Sequence, residues 1–143
     1  MPKRFTLAEA RSMLPGIRRL LSEAVAAKAG YEEAENSFQA LAQEVIFRGG
    51  MTVDRERALD IRDRRDRLAQ QLKQMLESLQ QTGCVIKNLD IGLVDFPTLF
   101  RGEEVYLCWK LDESDIVFWH GVDEGFAGRK TIDQDFLDHH SAE

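Results

Sequence analysis

The sequence predicts an α+β fold: a long antiparallel two-helix coiled-coil hairpin, preceded by a short helix and followed by a small, mostly antiparallel β-sheet domain. Three observations support this prediction. Apolar residues alternate at spacings of three and four over most of residues 17–79, which indicates paired helices. Gly49–Gly50 interrupts that pattern and favours a reversal of the chain. After Gly83 the apolar residues recur at every second position, which is typical of strands.

The first helical segments begin at a capping box. Thr6 and Glu9 can satisfy each other's backbone amides, and Phe5 can act as a hydrophobic staple in front of them. We expect Pro15 to break or kink this short helix and to begin a second, longer one. Gly30 lies inside that longer helix, where it need not break it. The apolar seam of the longer helix consists of Ile17, Leu20, Ala24, Ala27, Tyr31, Ala34, Phe38, Leu41 and Val45.

The second helix of the hairpin follows the glycine pair, with Thr52 or Asp54 as its cap. Its seam consists of Ala58, Ile61, Arg65, Leu68, Leu72, Met75 and Leu79. Counting outward from the turn places Arg65 beside Glu35, so we expect its stem to cover the seam and its guanidinium to meet that carboxylate. Thr82–Gly83 ends the helix.

Four segments have the alternating pattern of strands: Cys84–Lys87, Gly92–Phe96, Glu104–Leu111 and Ile116–His120. Pro97 should end the second strand. A tight turn at Asp112–Asp115 would pair Leu111 with Ile116. That register places Trp109 beside Phe118 and Leu107 beside His120 on one face, and Cys108 with Trp119 on the other. Because both faces carry large apolar groups, we expect the sheet to be covered on both sides.

The predicted organisation has three parts. Residues 1–83 form the helical region that turns at 49–50, residues 84–132 form the β domain packing on the hairpin, and residues 133–143 form an acidic tail that should fray. The net charge of −6 lacks the basic footprint typical of nucleic-acid binding. No apolar run reaches membrane length and no signal-peptide core is present, so the sequence predicts a cytoplasmic protein with reduced cysteines.

The densest group of polar residues lies between Trp119 and Arg129. His120, Asp123 and Glu124 of this segment, and Asp95 from the second predicted strand, could ligate a divalent metal, since imidazole and carboxylate are metal ligands. Arg129, with exposed loop amides, could hold a carboxylate or phosphate. The simpler interpretation, which we favour, is structural: Arg129 pairs with Asp123 or Asp95, and His120 is satisfied by hydrogen bonds. Their spacing matches no established metal or catalytic signature, so no cofactor is predicted beyond this candidate divalent metal.

Two other groups have structural interpretations. In the predicted register Cys108 lies on the opposite face from His120, so we expect a buried, inert thiol, and we expect the same of Cys84. The arginine-rich segment 55–67 also contains acidic residues at helical spacing, among them Asp60 with Arg64 and Asp63 with Arg67. We therefore interpret it as a solvated, self-paired face rather than as a nucleic-acid contact.

Several motifs resemble an uncharacterised prokaryotic family, the domain of unknown function 2203. They are Phe5–Ala10 with Leu14–Pro15, Gly83–Lys87, Gly92–Pro97, Glu104–Trp109, Trp119–His120 and Gly125–Arg129. The resemblance covers nearly the whole chain and implies one complete unit. It implies no activity, cofactor or catalytic residue.

Three functions follow from these features, in order of preference. The first is a non-catalytic structural or protein-interaction module that forms a homodimer, because further apolar residues flank the hairpin seam. These residues are Leu21, Val25, Ile46, Leu59 and Leu76. The second is a metal- or small-anion-binding module, or an enzyme, that uses the 119–129 loop. The third is weak nucleic-acid association through the arginine-rich helix. Catalysis is not favoured, and the sequence predicts neither substrate, pathway nor partner identity.

Overall fold

A computed structural model describes residues 3–47 and 55–143 and shows an α+β fold of two long helices that pack against each other, followed by a small antiparallel sheet. The elements are α1 (Leu7–Phe47), α2 (Arg55–Gln81), β1 (Val85–Asn88), β2 (Leu93–Phe100), β3 (Glu103–Lys110), β4 (Phe118–Gly121), a 3₁₀ turn (Phe126–Gly128), β5 (Lys130–Thr131), α3 (Gln134–His139) and β6 (His140–Ser141). The turn expected at Gly49–Gly50 and the caps expected at Thr52 or Asp54 lie outside the described residues. None of the described helices is long and apolar enough to cross a membrane.

Helix α1 begins at the predicted capping box and continues through Pro15. The Thr6 amide donates to Glu9 Oε1 at 3.3 Å, and the Glu9 amide donates to Thr6 Oγ1 at 3.1 Å. The separate short helix expected before Pro15 is instead the first part of α1, so this detail of the prediction is corrected. A proline inside a helix costs about 3 kcal/mol. Leu14 and Ile17, on either side of it, are buried and hold the helix in place.

The chain divides into two compact units, of which Glu23–Leu76 is the hairpin unit. Its helices are antiparallel, because residues late in α1 contact residues early in α2. A Cβ built on Gly30 would lie 3.1 Å from Leu68 Cδ1, so this glycine marks a close approach of the two helices. Arg65 Nη1 lies 3.1 Å from Glu35 Oε2, and its guanidinium lies 5.0 Å from the centre of the Phe38 ring. The predicted position of Arg65 is therefore confirmed.

The other compact unit, the sheet unit, contains the described residues up to Ser22 together with Glu77–Glu143. Its strands are all antiparallel, in the order β1-β2-β3-β4-β5, with β6 paired to the end of β2. One face of the sheet carries Phe96 and Trp109. Phe5 packs edge-on against Phe96, with ring centres 5.5 Å apart, and the Arg18 guanidinium lies over Trp109. The start of α1 therefore covers this face.

Strand β2 runs through Pro97 rather than ending there, which corrects the expected strand end. The Pro97 carbonyl points away from β3 and accepts a hydrogen bond of 2.8 Å from the Phe5 amide. The N–H and C=O of one strand residue point to the same side, so the donor that proline lacks would also point away from β3. The β2–β3 ladder consequently loses no bond, and β2 extends to Phe100.

The register between β3 and β4 differs from the predicted register by one residue. Cys108 pairs with Phe118, whereas the sequence predicted Trp109 at that position. The Cys108–Phe118 pair encloses nine residues, one more than the eight enclosed by the predicted Trp109–Phe118 pair. Because side chains alternate between faces, a slip of one residue moves each side chain of β4 to the other face relative to β3. Cys108 and His120 therefore share a face, contrary to the prediction.

The C-terminal segment is folded, so the expectation of a frayed tail is wrong. Asp133 caps α3 by accepting a hydrogen bond of 2.9 Å from the Phe136 amide. Phe136 is fully buried, and its ring centre lies 5.0 Å from that of Phe100 and 5.1 Å from that of Trp119. The composition of this segment is acidic, but this aromatic residue anchors it to the sheet.

Candidate functional site

A carboxylate, a thiol and an imidazole lie close together on the sheet face opposite to the one covered by α1. Asp95 on β2 pairs directly with Cys108 on β3, and His120 lies on the adjacent strand β4 on the same face. Their residues are 0%, 0% and 3% exposed, respectively. One ligand atom from each residue lies within 4.8 Å of the others. We call these three residues the Asp–Cys–His cluster.

The His120 ring uses both of its nitrogens. Nδ1 lies 2.7 Å from the Gly121 carbonyl oxygen, and Nε2 lies 3.0 Å from Asp95 Oδ2. A carbonyl oxygen only accepts, so Nδ1 carries a proton. The contact to Asp95 needs one further proton between Nε2 and Oδ2. The pair is therefore neutral as a whole, either as imidazolium with carboxylate or as imidazole with carboxylic acid, which suits a buried location.

The loop after β4 fixes the carbonyl that orients His120. The Gly121 amide donates to Glu124 Oε1 at 2.8 Å, and the Glu124 amide donates back to the Gly121 oxygen at 3.1 Å. Glu124 also pairs with Lys130. The hydrogen bond that its carboxylate accepts from Lys130, followed by the one that it accepts from the Gly121 amide, lowers the pKa of Glu124, so this side chain stays ionised. A Cβ on Gly121 would lie 2.7 Å from Glu124 Oε1, so a larger residue at this position would displace that carboxylate from the Gly121 amide.

The Cys108 thiol is not poised as a nucleophile. Burial raises its pKa from the ordinary 9.0 to about 12, and the neighbouring Asp95 carboxylate contributes in the same direction. A nucleophilic cysteine requires the opposite setting, one that favours the thiolate. Burial likewise raises the pKa of Cys84, whose Sγ lies 3.4 Å from the Leu79 carbonyl oxygen.

Arg129 lies near this face, and its guanidinium forms an ion pair with Glu113. Its Nη2 lies 2.8 Å and 2.7 Å from the two carboxylate oxygens of Glu113. The guanidinium also stacks over Phe118, with its carbon 3.9 Å from the ring centre. The same carbon lies 4.7 Å from the centre of the Phe126 ring. Arg129 therefore pairs with neither Asp95 nor Asp123, the two partners expected for it. With this pairing it is less available for the anion suggested by the sequence.

The structure thus brings together two of the four metal candidates named from the sequence. Asp95 and His120 are in contact, whereas Asp123 is exposed in the turn between β4 and the 3₁₀ turn. Among the described residues, the third potential metal ligand beside Asp95 and His120 is Cys108 rather than Asp123. The error in the β3–β4 register concealed Cys108. In the structure Cys108 pairs with Asp95 on one side and with Phe118 on the other. Because the strands of Asp95 and Cys108 follow each other along the chain, pairing them in the sequence could have identified Cys108 as a neighbour of Asp95.

Comparison with known proteins adds a family but no activity. The sequence model of the family described as "Uncharacterized conserved protein (DUF2203)" matches residues 3–132. No curated protein and no solved structure matches the chain. The matched range includes the three residues of the Asp–Cys–His cluster. The match confirms the family resemblance that the sequence motifs indicated.

Proposed function

This chain belongs to the DUF2203 family of uncharacterized conserved proteins, and we propose that it is a non-catalytic structural or protein-interaction module that forms a homodimer through its coiled-coil hairpin. The observation that carries the proposal is the incomplete burial of the hairpin seam. On α2 the seam residues of the hairpin unit are half-buried throughout: Ala58, Ile61, Arg65, Leu68, Leu72 and Met75. Two helices alone cannot enclose these side chains.

The same incomplete burial occurs on α1. Within the hairpin unit only the small seam residues Ala24, Ala27 and Ala34 are buried. The larger seam residues Tyr31, Phe38, Leu41 and Val45 keep part of their surface exposed. Apolar surface left in water costs about 25 cal/mol per Å² relative to burial, so enclosing the seam would stabilise an assembly. A four-helix arrangement is the usual way to enclose two such hairpins.

The apolar residues that flank the seam indicate which side would be covered. In helical position, Val25 on α1 and Leu59 and Leu76 on α2 fall on the same side of the seam. Val25 and Leu76 are half-buried, and Leu59 is 38% exposed. Leu21 is buried in the sheet unit, and the Ile46 side chain is outside the described residues. Three of the five flanking residues expected from the sequence are therefore available on this side of the hairpin unit.

The charges on this side favour a second copy of the chain as the occupant. Both signs are interspersed there, for example Arg62 with Asp66 on α2 and Glu35 on α1. A twofold axis places the same surface against itself, so a surface of mixed sign can meet opposite charges, whereas one of a single sign would repel. Arg65 is paired with Glu35 and Asp66, which gives the nucleic-acid alternative no support.

A cytoplasmic location is part of the same proposal. Cys84 and Cys108 are both free and buried in the structure. Unpaired cysteines are the usual state in a reducing compartment. Fractionation of the producing cells would test this, because recovery in the periplasmic or secreted fraction would contradict it.

A pair of matched substitutions tests the dimer. Leu59→Glu places a charge on the proposed interface, and Leu137→Glu does the same at an exposed leucine of α3 in the sheet unit. The two leucines are 38% and 40% exposed, so neither change disrupts a core. With light scattering at about 10 μM, we expect Leu59→Glu to weaken dimerisation more than about tenfold, since burying an unpaired charge is costly. Leu137→Glu should leave the wild-type mass unchanged. Equal masses for all three proteins would contradict the proposed interface.

A further inference from the structure

We propose that Asp95, Cys108 and His120 form a binding site for a divalent transition-metal ion of the zinc class. The inference is independent of the proposed dimer, since it concerns only the sheet unit. Its basis is the convergence of three different donors, a carboxylate oxygen, a thiol sulfur and an imidazole nitrogen, within 4.8 Å of one another. Ligand atoms around a tetrahedral zinc lie about 3.3–3.7 Å apart, so the cluster needs to contract by only about 1 Å at its widest separation.

The orientation of His120 matches that of a metal ligand. Its Nδ1–H is held by the Gly121 carbonyl oxygen at 2.7 Å, which directs Nε2 into the cluster. Histidines that ligate metals typically donate their other ring N–H to a carbonyl or carboxylate in this manner. Nε2 and Asp95 Oδ2 are 3.0 Å apart, close to the separation of two ligands on one ion. A metal could therefore replace the proton between them with little movement of either side chain.

An unsatisfied oxygen provides the second, independent observation. Asp95 is 0% exposed, and among the described residues its Oδ1 has no hydrogen-bond partner of normal distance and angle; the donor beside this carboxylate is the Cys108 thiol, a weak donor. Buried polar atoms are nearly always satisfied, so an unpaired carboxylate oxygen calls for an explanation such as an ion. Cys108 is the direct cross-strand partner of Asp95, so the unsatisfied carboxylate and the thiol lie side by side.

The charges balance when a divalent ion binds. Without metal, the cluster holds the thiol proton and the single proton between His120 and Asp95. Binding releases both protons, and M²⁺ then faces one thiolate, one carboxylate and one neutral imidazole, with a net charge of zero. Sulfur with nitrogen and oxygen donors suits zinc and its neighbours in the first transition row rather than magnesium or calcium. Three protein ligands leave a fourth position for water or another small ligand.

Cobalt provides the optical test. Chelator-treated, tag-free full-length protein is titrated with Co²⁺, and thiolate-to-cobalt absorption in the near ultraviolet is recorded. We expect one Co²⁺ per chain, displaced by Zn²⁺. Cys108→Ser should abolish the absorption, whereas Cys84→Ser, a change at the other buried cysteine, should retain it. Asp95→Asn should weaken Co²⁺ binding more than about tenfold, and Asp123→Asn should not.

A second measurement uses the wild type and does not depend on the folding of any variant. In ¹⁵N spectra, Zn²⁺ should shift the Nε2 resonance of His120 while leaving those of His139 and His140 in place. The proposal is overturned if folded wild-type protein binds no Co²⁺ or Zn²⁺ at about 100 μM. It is equally overturned if Cys108→Ser binds with wild-type affinity, or if the zinc-dependent shift is confined to His139 and His140.

Discussion

The hydrogen bond between His120 and Asp95 makes a prediction about two substitutions of the same residue. Asp95→Asn keeps the shape of the side chain, and its amide N–H can donate to Nε2 of a neutral His120 whose Nδ1–H remains bound to Gly121. Asp95→Ala removes the partner altogether. It leaves Nε2 buried without a hydrogen bond and opens a small cavity in a region that is fully enclosed.

The two changes should therefore have different costs. Leaving a buried polar group unsatisfied costs about 1–3 kcal/mol, and removing one member of a buried charged pair costs about 3–5 kcal/mol. We expect Asp95→Ala to lower the free energy of unfolding by about 3 kcal/mol or more. Asp95→Asn, which retains the hydrogen bond, should lower it by about 1 kcal/mol. For a chain of this length, 3 kcal/mol corresponds to a fall in Tm of about 6–12 °C.

Urea unfolding, followed by circular dichroism with chelator present and at one fixed protein concentration, measures both values. The chelator removes any contribution of a bound metal, and the fixed concentration removes that of self-association. Equal losses for the two variants, or a loss below about 1 kcal/mol for Asp95→Ala, would refute the assigned hydrogen bond.

Three further predictions concern the rest of the molecule. Gly16 lies inside α1 with no atom within 4 Å of a Cβ built on it, so Gly16→Ala should raise the free energy of unfolding by about 0.5–1 kcal/mol in urea; a decrease would contradict the continuous helix. Phe136→Ala should lower it by about 3–5 kcal/mol, because the ring is fully buried among aromatic neighbours, and a change near zero would show that the C-terminal segment is not anchored. At pH 8, Cys84 and Cys108 should react with a thiol reagent such as DTNB only after unfolding, because both are buried and have raised pKa values; rapid reaction of native protein would exclude these environments.

The helical half could be predicted from local patterns. The spacing of Ile61, Arg65 and Leu68 identified the less exposed side of α2, and the distance of Arg65 from the turn placed it beside Glu35. Both inferences depend on the regular geometry of helices. The continuity of α1 through Pro15 could not be predicted, because it depends on buried contacts made with distant parts of the chain.

The candidate site was predicted only in part. Asp95 was singled out because a carboxylate in an apolar strand needs a partner, and that reasoning located one member of the cluster. The contribution of Cys108 depended on the length of the loop before β4, where one additional residue moved His120 onto its face. Loop length is the least regular feature of a hairpin, so periodicity alone could not determine it. The anchoring of the tail likewise depended on Phe136, whose aromatic contacts outweigh the acidic composition around it.

The central claim is self-association, and sedimentation equilibrium of the unaltered full-length chain tests it most directly. The chain has a mass of 16.4 kDa, so the account predicts a molar mass of twice that value at protein concentrations of about 10 μM and above. It further predicts dissociation on dilution rather than growth to larger species, because a twofold interface is closed. A mass of 16.4 kDa across the whole range from about 1 to 100 μM would contradict the account.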